Sequence, residues 1–330
     1  MHLSAPAIKP RKLRMILNTF ISGPQAWFFL ADDRGYLRDE GIELEFVEGD
    51  TAANAVPRVA SGEFDVGYGD INALIELAAS VEPCGALAVF ATFTASPYTI
   101  AVPAAGTVRQ PSQIAGLTLA AHPNDAAMRM LPELALGAGF DAASVKLDIT
   151  TLPHPEMLVR MLSHGAWDGM FGFVNTLRAA AIEAKIDPAN LRFLEYRDHL
   201  PDLYGSVVLV TRKLAETAPE LVAGLVRAIN RALADVIVDT GAAIDAVAKK
   251  NPRIDHAANL ARLEGTLALE MAGAADGVGD LDDDRLARAI ALIVKAKGHP
   301  RTPAPGEIFS RRFLPPHAIR ARTARLPGAT

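Results

Sequence analysis

The residues of this chain that could do chemistry are its carboxylates, its histidines and its single cysteine. Asp280, Asp282 and Asp284 have the spacing of the first ligands of a calcium loop. However, Arg285 occupies the position of the turn glycine and Ala291 that of the bidentate glutamate. These aspartates therefore fit the acidic first turn of a helix better. Because none of the eight histidines falls in a ligand pair either, we expect no metal ion.

The remaining chemical candidates are also interpreted as structural. Cys84 begins an apolar run, which favours a buried structural thiol over a nucleophile. His122, His154 and His164 are predicted to be ordinary exposed loop histidines. Neither a Gly-x-Ser-x-Gly elbow nor a phosphate-binding Gly-x-x-x-x-Gly-Lys loop occurs in the sequence. We therefore expect no catalytic apparatus and no cofactor, and the protein is predicted not to be an enzyme.

Composition limits the class of protein. A length of 330 residues suits two domains, and a net charge of −5 argues against a nucleic-acid partner. One cysteine cannot form an intrachain disulfide framework. No stretch has the ~18 consecutive apolar residues of a membrane span. The first residues also lack the apolar core of a signal peptide, so either the protein is cytoplasmic or its leader is absent from this sequence.

Short apolar runs alternate with helical stretches along the chain. Residues 13–17, 42–46 and 64–68 are predicted strands, and residues 25–33, 51–60 and 70–79 are predicted helices between or after them. A second series of the same kind begins at residue 117. This alternation with short loops predicts an α/β fold with mostly parallel sheets. The Pro- and Arg-rich segment after residue 300 is expected to be a solvated, partly ordered terminus.

Several motifs in order carry a resemblance to a known family. GYLRDEGIELEF at residues 35–46 is followed by SGEFDVGYG at residues 61–69, by PSQIAGLTLA at residues 111–120 and by SHGAWDG at residues 163–169. VVLVT at residues 207–211 and PELV at residues 219–222 come after them. Together these motifs, spread over residues 13–235, resemble the family of alkanesulfonate-binding and thiamine-pyrimidine-precursor proteins.

The resemblance implies a two-lobed type II periplasmic-binding-protein fold. Each lobe would be a mixed, mostly parallel sheet flanked by helices, and two crossover hinge strands, near residues 96–102 and 204–207, would join the lobes. The first lobe would comprise residues 1–97 and 206–330, and the second residues 98–205. A ligand would bind between the lobes, which close around it by a hinge motion.

In open α/β sheets the ligand lies beyond the carboxyl ends of the strands, so the loops there supply the candidate site. Their aromatic side chains could stack on a planar ring, and their amides could donate and accept hydrogen bonds. Asp70 and Asp125 are either plain helix caps or ligands for amino groups. The predicted ligand-binding residues are Asn18, Phe20, Ser22, Gln25, Trp27, Asp70, Asn72, Phe93, Tyr98, Asn124, Asp125, Phe171, Phe173, Asn175 and Tyr204.

These residues favour a particular solute. No Arg or Lys lies within residues 18–27, 69–72 or 172–175, so an aromatic or heteroaromatic solute such as a thiamine-precursor pyrimidine is preferred to a bare anion. The expected role is a monomeric receptor that delivers this solute to the permease of an ABC importer in the periplasm, the leader being absent from this sequence. The alternatives are a sulfonate, nitrate or carboxylate receptor, a cytoplasmic sensing module, or a pyrimidine synthase or desulfinase on the same scaffold. The fungal synthases of the family carry a cysteine cluster that a chain with Cys84 alone cannot form.

Overall fold

The structure is a computed structural model that describes residues 10–271 and 277–322. The predicted lead-in before residue 10 and the end of the Pro- and Arg-rich tail lie outside the described residues. The described chain forms two five-stranded sheets with helices packed on both. The mixed α/β architecture expected from the sequence is confirmed.

The first sheet has the strand order β2-β1-β3-β10-β4. β1 pairs in parallel with β2 and β3, whereas β10 lies antiparallel between β3 and β4. β2 is at an edge, which agrees with its alternation of Ile and Leu with Glu. The strands are β1 (Arg11–Ile16), β2 (Ile42–Val47), β3 (Val66–Asp70), β4 (Ala86–Ala91) and β10 (Ser206–Thr211).

The second sheet repeats this arrangement with the order β7-β6-β8-β5-β9. β6 pairs in parallel with β7 and β8, and β5 lies antiparallel between β8 and β9. β5 and β10 therefore have the same place in their sheets. The strands are β5 (Tyr98–Pro103), β6 (Thr118–Ala121), β7 (Lys146–Ile149), β8 (Gly169–Phe173) and β9 (Leu191–Glu195).

Helices follow most of the strands and continue after β10. In the first part of the chain they are α1 (Ala26–Asp33), α2 (Tyr36–Asp39), α3 (Ala52–Ala60), α4 (Ile71–Ser80), α5 (Ala126–Arg129), α6 (Leu131–Ala138), α7 (His154–His164) and α8 (Val174–Glu183). After β10 they are α9 (Arg212–Thr217), α10 (Pro219–Val238), α11 (Thr240–Lys250), α12 (His256–Gly265), α13 (Asp283–Lys297) and α14 (Pro305–Ile308). None of the described helices is both long and apolar enough to cross a membrane.

The chain passes between the sheets twice. It leaves the first sheet at the end of β4 and enters the second at β5, and it returns between β9 and β10. These passages contain the predicted crossovers. The exact lobe boundaries, between residues 97 and 98 and between residues 205 and 206, stay predictions. Below, the first lobe is the first sheet with its helices, and the second lobe is the second sheet with α5–α8.

A buried polar cluster connects the two crossovers. The side-chain amide of Asn72 donates to Tyr98 Oη over 2.7 Å and to the backbone carbonyl of Tyr204 over 2.9 Å. Asp70 caps α4 by accepting from the Asn72 backbone N–H over 2.7 Å, and it also accepts from the Tyr98 hydroxyl. Burial raises the pKa of Asp70 to about 6, although the Tyr98 hydrogen bond opposes that rise. We call these three side chains, Asp70, Asn72 and Tyr98, the crossover cluster.

A second polar cluster links the lobes through their helices. Glu133 of α6 is fully buried, with Lys297 of α13 at 3.7 Å. Lys297 also pairs with Glu76 of α4, which in turn binds Arg129 of α5 over 2.6 Å. Burial raises the pKa of Glu133 to about 7, and the positive charge of Lys297 only partly offsets this. These four residues, Glu76, Arg129, Glu133 and Lys297, are the interlobe ion cluster.

The C-terminal segment up to residue 322 packs against the first lobe, so the expectation of a solvated terminus is wrong for this part. Arg311 pairs with Asp280 and Asp283, each over 2.7 Å. The side chain of Phe313 is buried, and Phe309 forms a β-bridge with Ala88 of β4. The Pro and Arg content of the segment did not predict this packing. The carboxylates that pair with Arg311 lie about thirty residues earlier in the chain. Asp280, whose spacing resembled that of a calcium ligand, therefore forms ion pairs with Arg311 and Arg320.

Candidate functional site

A cavity of about 120 Å³ lies between the two lobes. Both sheets contribute to its wall, and so does α12 with the π-helical turn that follows it, Thr266–Glu270. Its lining residues are Asn18, Thr19, Phe20, Ser22, Pro24, Gln25, Asp50, Thr51, Ala52, Phe93, His122, Asp125, Ala126, His154, Gly172, Phe173, Asn175, Thr176, Arg262 and Thr266.

Most of these residues directly follow parallel strands. Residues 18–25 follow β1, residues 50–52 follow β2, residue 93 follows β4, residues 122–126 follow β6, and residues 172–176 span the end of β8. The carboxyl ends of parallel strands meet at one edge of each sheet, and these edges face each other across the cavity. The location agrees with the general rule for ligand sites in α/β sheets.

The loop after β1 is held by its own amides. Gln25 is buried, donates through Nε2 to Asn18 Oδ1 and Thr19 Oγ1, and accepts from the Ser22 backbone N–H over 3.2 Å. The backbone N–H of Ile21 donates to Glu48 over 2.8 Å. Ser22 Oγ is buried and has no hydrogen-bond partner among the described residues. These hydrogen bonds therefore hold the backbone of a loop whose residues line the cavity.

Three phenylalanines form the aromatic part of the wall. Phe20 is 55% exposed, whereas Phe93 is buried and Phe173 half-buried. Tyr98 lies behind Phe173, with ring centroids 5.6 Å apart, so the crossover cluster supports the wall from outside the cavity. Such rings provide flat apolar surface suited to stacking on a planar solute.

Two histidines lie next to each other on the second-lobe wall of the cavity. The rings of His122 and His154 are 4.3 Å apart between centroids, and His122 Nε2 lies 2.7 Å from the backbone carbonyl of Leu152 and donates to it. The pKa of His154 falls to about 3, chiefly because burial disfavours its charged form, with further lowering by His122 and Arg262. His154 is therefore a neutral hydrogen-bonding group near pH 7.

Charged groups of both signs lie at the cavity. Asp125 is buried, caps α5 by accepting from the Met128 N–H over 3.0 Å, and has its pKa raised by burial. Asp50 is exposed and accepts from Thr51 N and from Asn54 Nδ2. Arg262 comes from α12, and its guanidinium carbon lies 5.4 Å from the centroid of the Phe20 ring. The positive charge at the cavity thus comes from a helix distant in sequence from the strand-end loops.

The structure brings eight of the fifteen predicted residues to the cavity. Those on its wall are Asn18, Phe20, Ser22, Gln25, Phe93, Asp125, Phe173 and Asn175. Whether they bind a ligand stays a prediction.

The other seven predicted residues lie off the cavity. Trp27 and Phe171 are core residues with fully buried side chains, and the crossover cluster holds Asp70, Asn72 and Tyr98. Asn124 is exposed in a left-handed turn at φ 57°, and Tyr204 stacks under Arg285 at 3.8 Å. Core rings and crossover hydrogen bonds use the same residue types as a ligand pocket, so residue type alone could not separate them.

Several residues on the wall were not predicted from the sequence, above all His122, His154 and Arg262. His122 directly follows β6, so the strand-end rule could have identified it, but the expectation that both histidines are ordinary exposed ones is wrong, since both are half-buried. For Arg262 the local sequence offers one signal, the glycine at position 265 in a helix. A glycine in a helix can mark a close approach of another segment.

Two mixed sheets joined by two crossovers, with a cavity between them, define the periplasmic-binding-protein fold. Within that class the chain belongs to the NMT1/THI5-like family, whose model matches residues 25–243. No curated protein sequence matches the chain.

Solved structures share the fold at low sequence identity. The periplasmic aliphatic sulphonate binding protein SsuA from Escherichia coli matches with a TM-score of 0.68 at 15% identity, over 92% of both chains. The alkanesulfonate-binding protein SsuA from Xanthomonas axonopodis pv. citri, bound to MOPS, matches with a TM-score of 0.66 at 16% identity, over 93% of this chain and 98% of that one. The desulfurization enzyme DSZB matches with a TM-score of 0.56 at 16% identity, over 91% and 97%.

Proposed function

We propose that this protein is a solute receptor that binds a small aromatic or heteroaromatic molecule between its lobes and delivers it to an ABC importer. The observation that carries the proposal is the cavity whose walls come from the strand-end loops of both lobes. A ligand there contacts both lobes at once, so its binding energy can favour the closed arrangement.

The size of the cavity favours a single ring. Its volume of about 120 Å³ is close to that of cavities of about 150 Å³ that accept benzene. Phe20, Phe93 and Phe173 can contact the faces or edges of a ring. Asn175 and the neutral His154 can hydrogen-bond to ring nitrogens or amino groups. A pyrimidine of the thiamine-precursor type meets these requirements.

A sulfonate or carboxylate receptor is the second candidate, and Arg262 at the cavity is the observation that favours it. The sulfonate-binding structures share the fold and support the same role by analogy. A desulfinase-like enzyme is less well supported, because it needs a reactive thiol. Cys84, the only cysteine of the chain, is buried away from the cavity lining, and burial raises the pKa of its thiol.

The cellular setting is proposed by analogy with the family. We propose that the protein works in the periplasm as a monomer and docks on the permease of the importer. A direct test measures whether the ligand-loaded protein, added to a reconstituted importer, stimulates ATP hydrolysis more than the ligand-free protein does.

Ligand binding is tested by thermal shift with aminopyrimidines, single-ring carboxylates and sulfonates, and linear alkanesulfonates. At least one single-ring compound should raise the melting temperature saturably, because ligand at a hundred times its Kd stabilises by about 2.7 kcal/mol. Phe173→Leu should weaken the binding of that compound at least about tenfold, because it removes a stacking surface. The matched variant Phe193→Leu, also half-buried but off the cavity, should bind like the wild type.

Two outcomes would contradict the proposal. If no compound of the panel gives saturable stabilisation, the receptor role loses its support. If linear alkanesulfonates bind more tightly than every ring compound and Phe173→Leu changes nothing, the aromatic preference is wrong.

A further inference from the structure

The interlobe ion cluster joins the lobes at two places that lie off the cavity. Lys297 of α13 contacts Glu133 of α6, and Glu76 of α4 binds Arg129 of α5. α13 packs on α4 in the first lobe, whereas α5 and α6 belong to the second, so each contact runs from one lobe to the other. The cavity lining includes none of these four residues. A change of charge in the cluster can therefore act on a solute only through the arrangement of the lobes.

Glu133 is the member of the cluster that burial leaves least compensated. Its side chain is 0% exposed, and neither carboxylate oxygen has a hydrogen-bond partner among the described residues. The ammonium group of Lys297 lies 3.7 Å from Glu133 Oε1 and also pairs with Glu76. Buried polar groups are nearly always paired, because an unpaired charge loses its hydration without compensation. The contact between α6 and α13 therefore favours a neutral, protonated Glu133.

The groups that surround Glu133 support this assignment. Burial raises the pKa of Glu133 to about 7; the positive charge of Lys297 opposes the rise, and the negative charge of Glu76 adds to it. Arg129 directs its guanidinium to Glu76 over 2.6 Å. Tyr196, which follows β9, interacts with the Glu133 charge, but its hydroxyl donates to a backbone carbonyl of α5 over 2.8 Å. Lys297, the cation next to Glu133, is thus shared between two carboxylates.

The same structure brings the lobes together at the cavity. α12 contacts the first lobe at Gly23, whose backbone N–H donates to Asn259 Oδ1 over 2.8 Å. At the other end of this helix, a Cβ at Gly265 would lie 2.5 Å from Asn175 Oδ1 in the second lobe. α12 therefore bridges the lobes in the arrangement in which α6 packs on α13. Because lobes of this kind move as rigid bodies, we expect their opening to separate α6 from α13 and to hydrate Glu133.

We infer that the interlobe ion cluster is a proton-operated latch, in which protonation of Glu133 favours closure of the lobes on a solute and loss of that proton favours their opening. The inference rests on the proposed receptor function and adds a means of regulating the same site. Solute affinity then depends on a proton that binds at a separate place, which is a coupling between two distinct sites.

The size of the coupling follows from the pKa of Glu133 in the two arrangements. It is about 7 in the closed one, and hydration in the open one returns it towards 4.5. The proton therefore favours closure fully below about pH 4.5, and this contribution is lost as pH rises through 7. From pH 8.5 to pH 6 the ratio of closed to open molecules should rise about tenfold. Solute affinity should rise by at most the same factor.

Small-angle X-ray scattering tests the latch without any ligand. The radius of gyration of the wild type should fall from pH 8.5 to pH 6, because closed molecules accumulate. Glu133→Gln is neutral at every pH and should have the smaller radius at both values. Glu156→Gln, at an exposed position of α7, should behave like the wild type.

Isothermal titration tests the coupling to binding, with benzenesulfonate and nicotinamide as ring compounds whose charge is constant over this range. The wild type should bind at least one of them about three- to tenfold more tightly at pH 6 than at pH 8.5. Glu133→Gln should bind it at both pH values as tightly as the wild type does at pH 6. Lys297→Gln should shift the midpoint of the pH profile upwards, because it removes the charge that lowers the pKa of Glu133. Loss of packing alone would not move that midpoint.

The two measurements separate the latch from the receptor function. If the radius of the wild type does not change with pH, or if that of Glu133→Gln changes in the same way, the inference fails. If ring compounds bind but Glu133→Gln does not tighten their binding at pH 8.5, the inference fails and the receptor proposal stands. If the radius follows pH as expected and no compound binds, the receptor proposal loses its support while the latch is confirmed.

Discussion

At the scale of single residues, the crossover cluster shows how one set of side chains can suit two roles. Asp70 ends β3, Asn72 lies in the first turn of α4, and Tyr98 begins β5. Ligand-binding residues of α/β sheets are also found at the ends of strands. Yet their hydrogen bonds are directed to one another and to the carbonyl of Tyr204 in the other crossover. A buried carboxylate needs such partners, since an unpaired one is costly. We therefore interpret the cluster as support for the crossovers.

Tyr98→Phe separates the supporting role from a ligand-binding one. The change keeps the ring behind Phe173 but removes a hydroxyl that Asp70 and Asn72 both use. We expect the free energy of unfolding to fall by about 1–3 kcal/mol, because buried polar atoms lose a partner. Affinity for a ring ligand should change less than about twofold. Urea unfolding and titration measure the two quantities.

Tyr36→Phe is the control for this prediction. The Tyr36 hydroxyl bonds Asp235 on the half-buried surface of the first lobe, so its loss should cost less than about 1 kcal/mol. A large loss of affinity in Tyr98→Phe without loss of stability would instead make Tyr98 a ligand-binding residue.

At the scale of elements, the sequence predicted the strands and their succession along the chain, but neither their order within the sheets nor the position of α12. Alternating apolar residues identify β1 and β2, and the apolar run of residues 206–211 identifies β10, because period and burial are local properties. The contact between Gly23 and Asn259 joins residues 236 positions apart. A local pattern does not identify the partner of such a contact, and the glycine at position 265 alone did not place Arg262 at the cavity.

Gly265→Ala tests how closely α12 must approach the second lobe. The new Cβ would lie 2.5 Å from Asn175 Oδ1, so Asn175 or the helix end must shift. We expect a loss of about 1–3 kcal/mol in unfolding free energy, as for overpacked sites. Ligand affinity should also fall, because the displaced Asn175 lines the cavity. Urea unfolding and titration report both effects.

Gly306→Ala in α14 is the matched control. No atom lies within 4 Å of a Cβ there, so alanine should raise stability by about 0.5–1 kcal/mol through its helix preference. If the two variants change the unfolding free energy equally, α12 and Asn175 are not in close contact.

At the scale of the whole molecule, the interlobe ion cluster makes stability depend on pH. Burial raises the pKa of Glu133 from 4.5 in the unfolded chain to about 7 in the folded protein. The folded state therefore holds a proton that the unfolded state has already lost. The stabilisation from this group is fully present below about pH 4.5 and is lost as pH rises through 7.

Glu133→Gln should abolish this dependence. Its unfolding free energy should equal that of the wild type near pH 4.5 within about 1 kcal/mol and exceed it above pH 7 by up to about 3 kcal/mol, since each pKa unit corresponds to about 1.4 kcal/mol. Urea unfolding at intervals from pH 4.5 to 8 measures the difference. Glu183→Gln, at an exposed position, should have the same unfolding free energy as the wild type at every pH. If the unfolding free energy of Glu133→Gln changes with pH as that of the wild type does, the prediction is wrong.

The bridging helix also has a consequence for the rate of solute exchange. α12 contacts the first lobe at Gly23 and the second at Asn175, so the lobes cannot separate fully while both contacts persist. We therefore expect a bound molecule to escape more often when one end of the helix detaches. Residence time and affinity thereby become separately adjustable: loosening the Gly23 contact should shorten the lifetime of the complex without touching any group that the solute itself contacts.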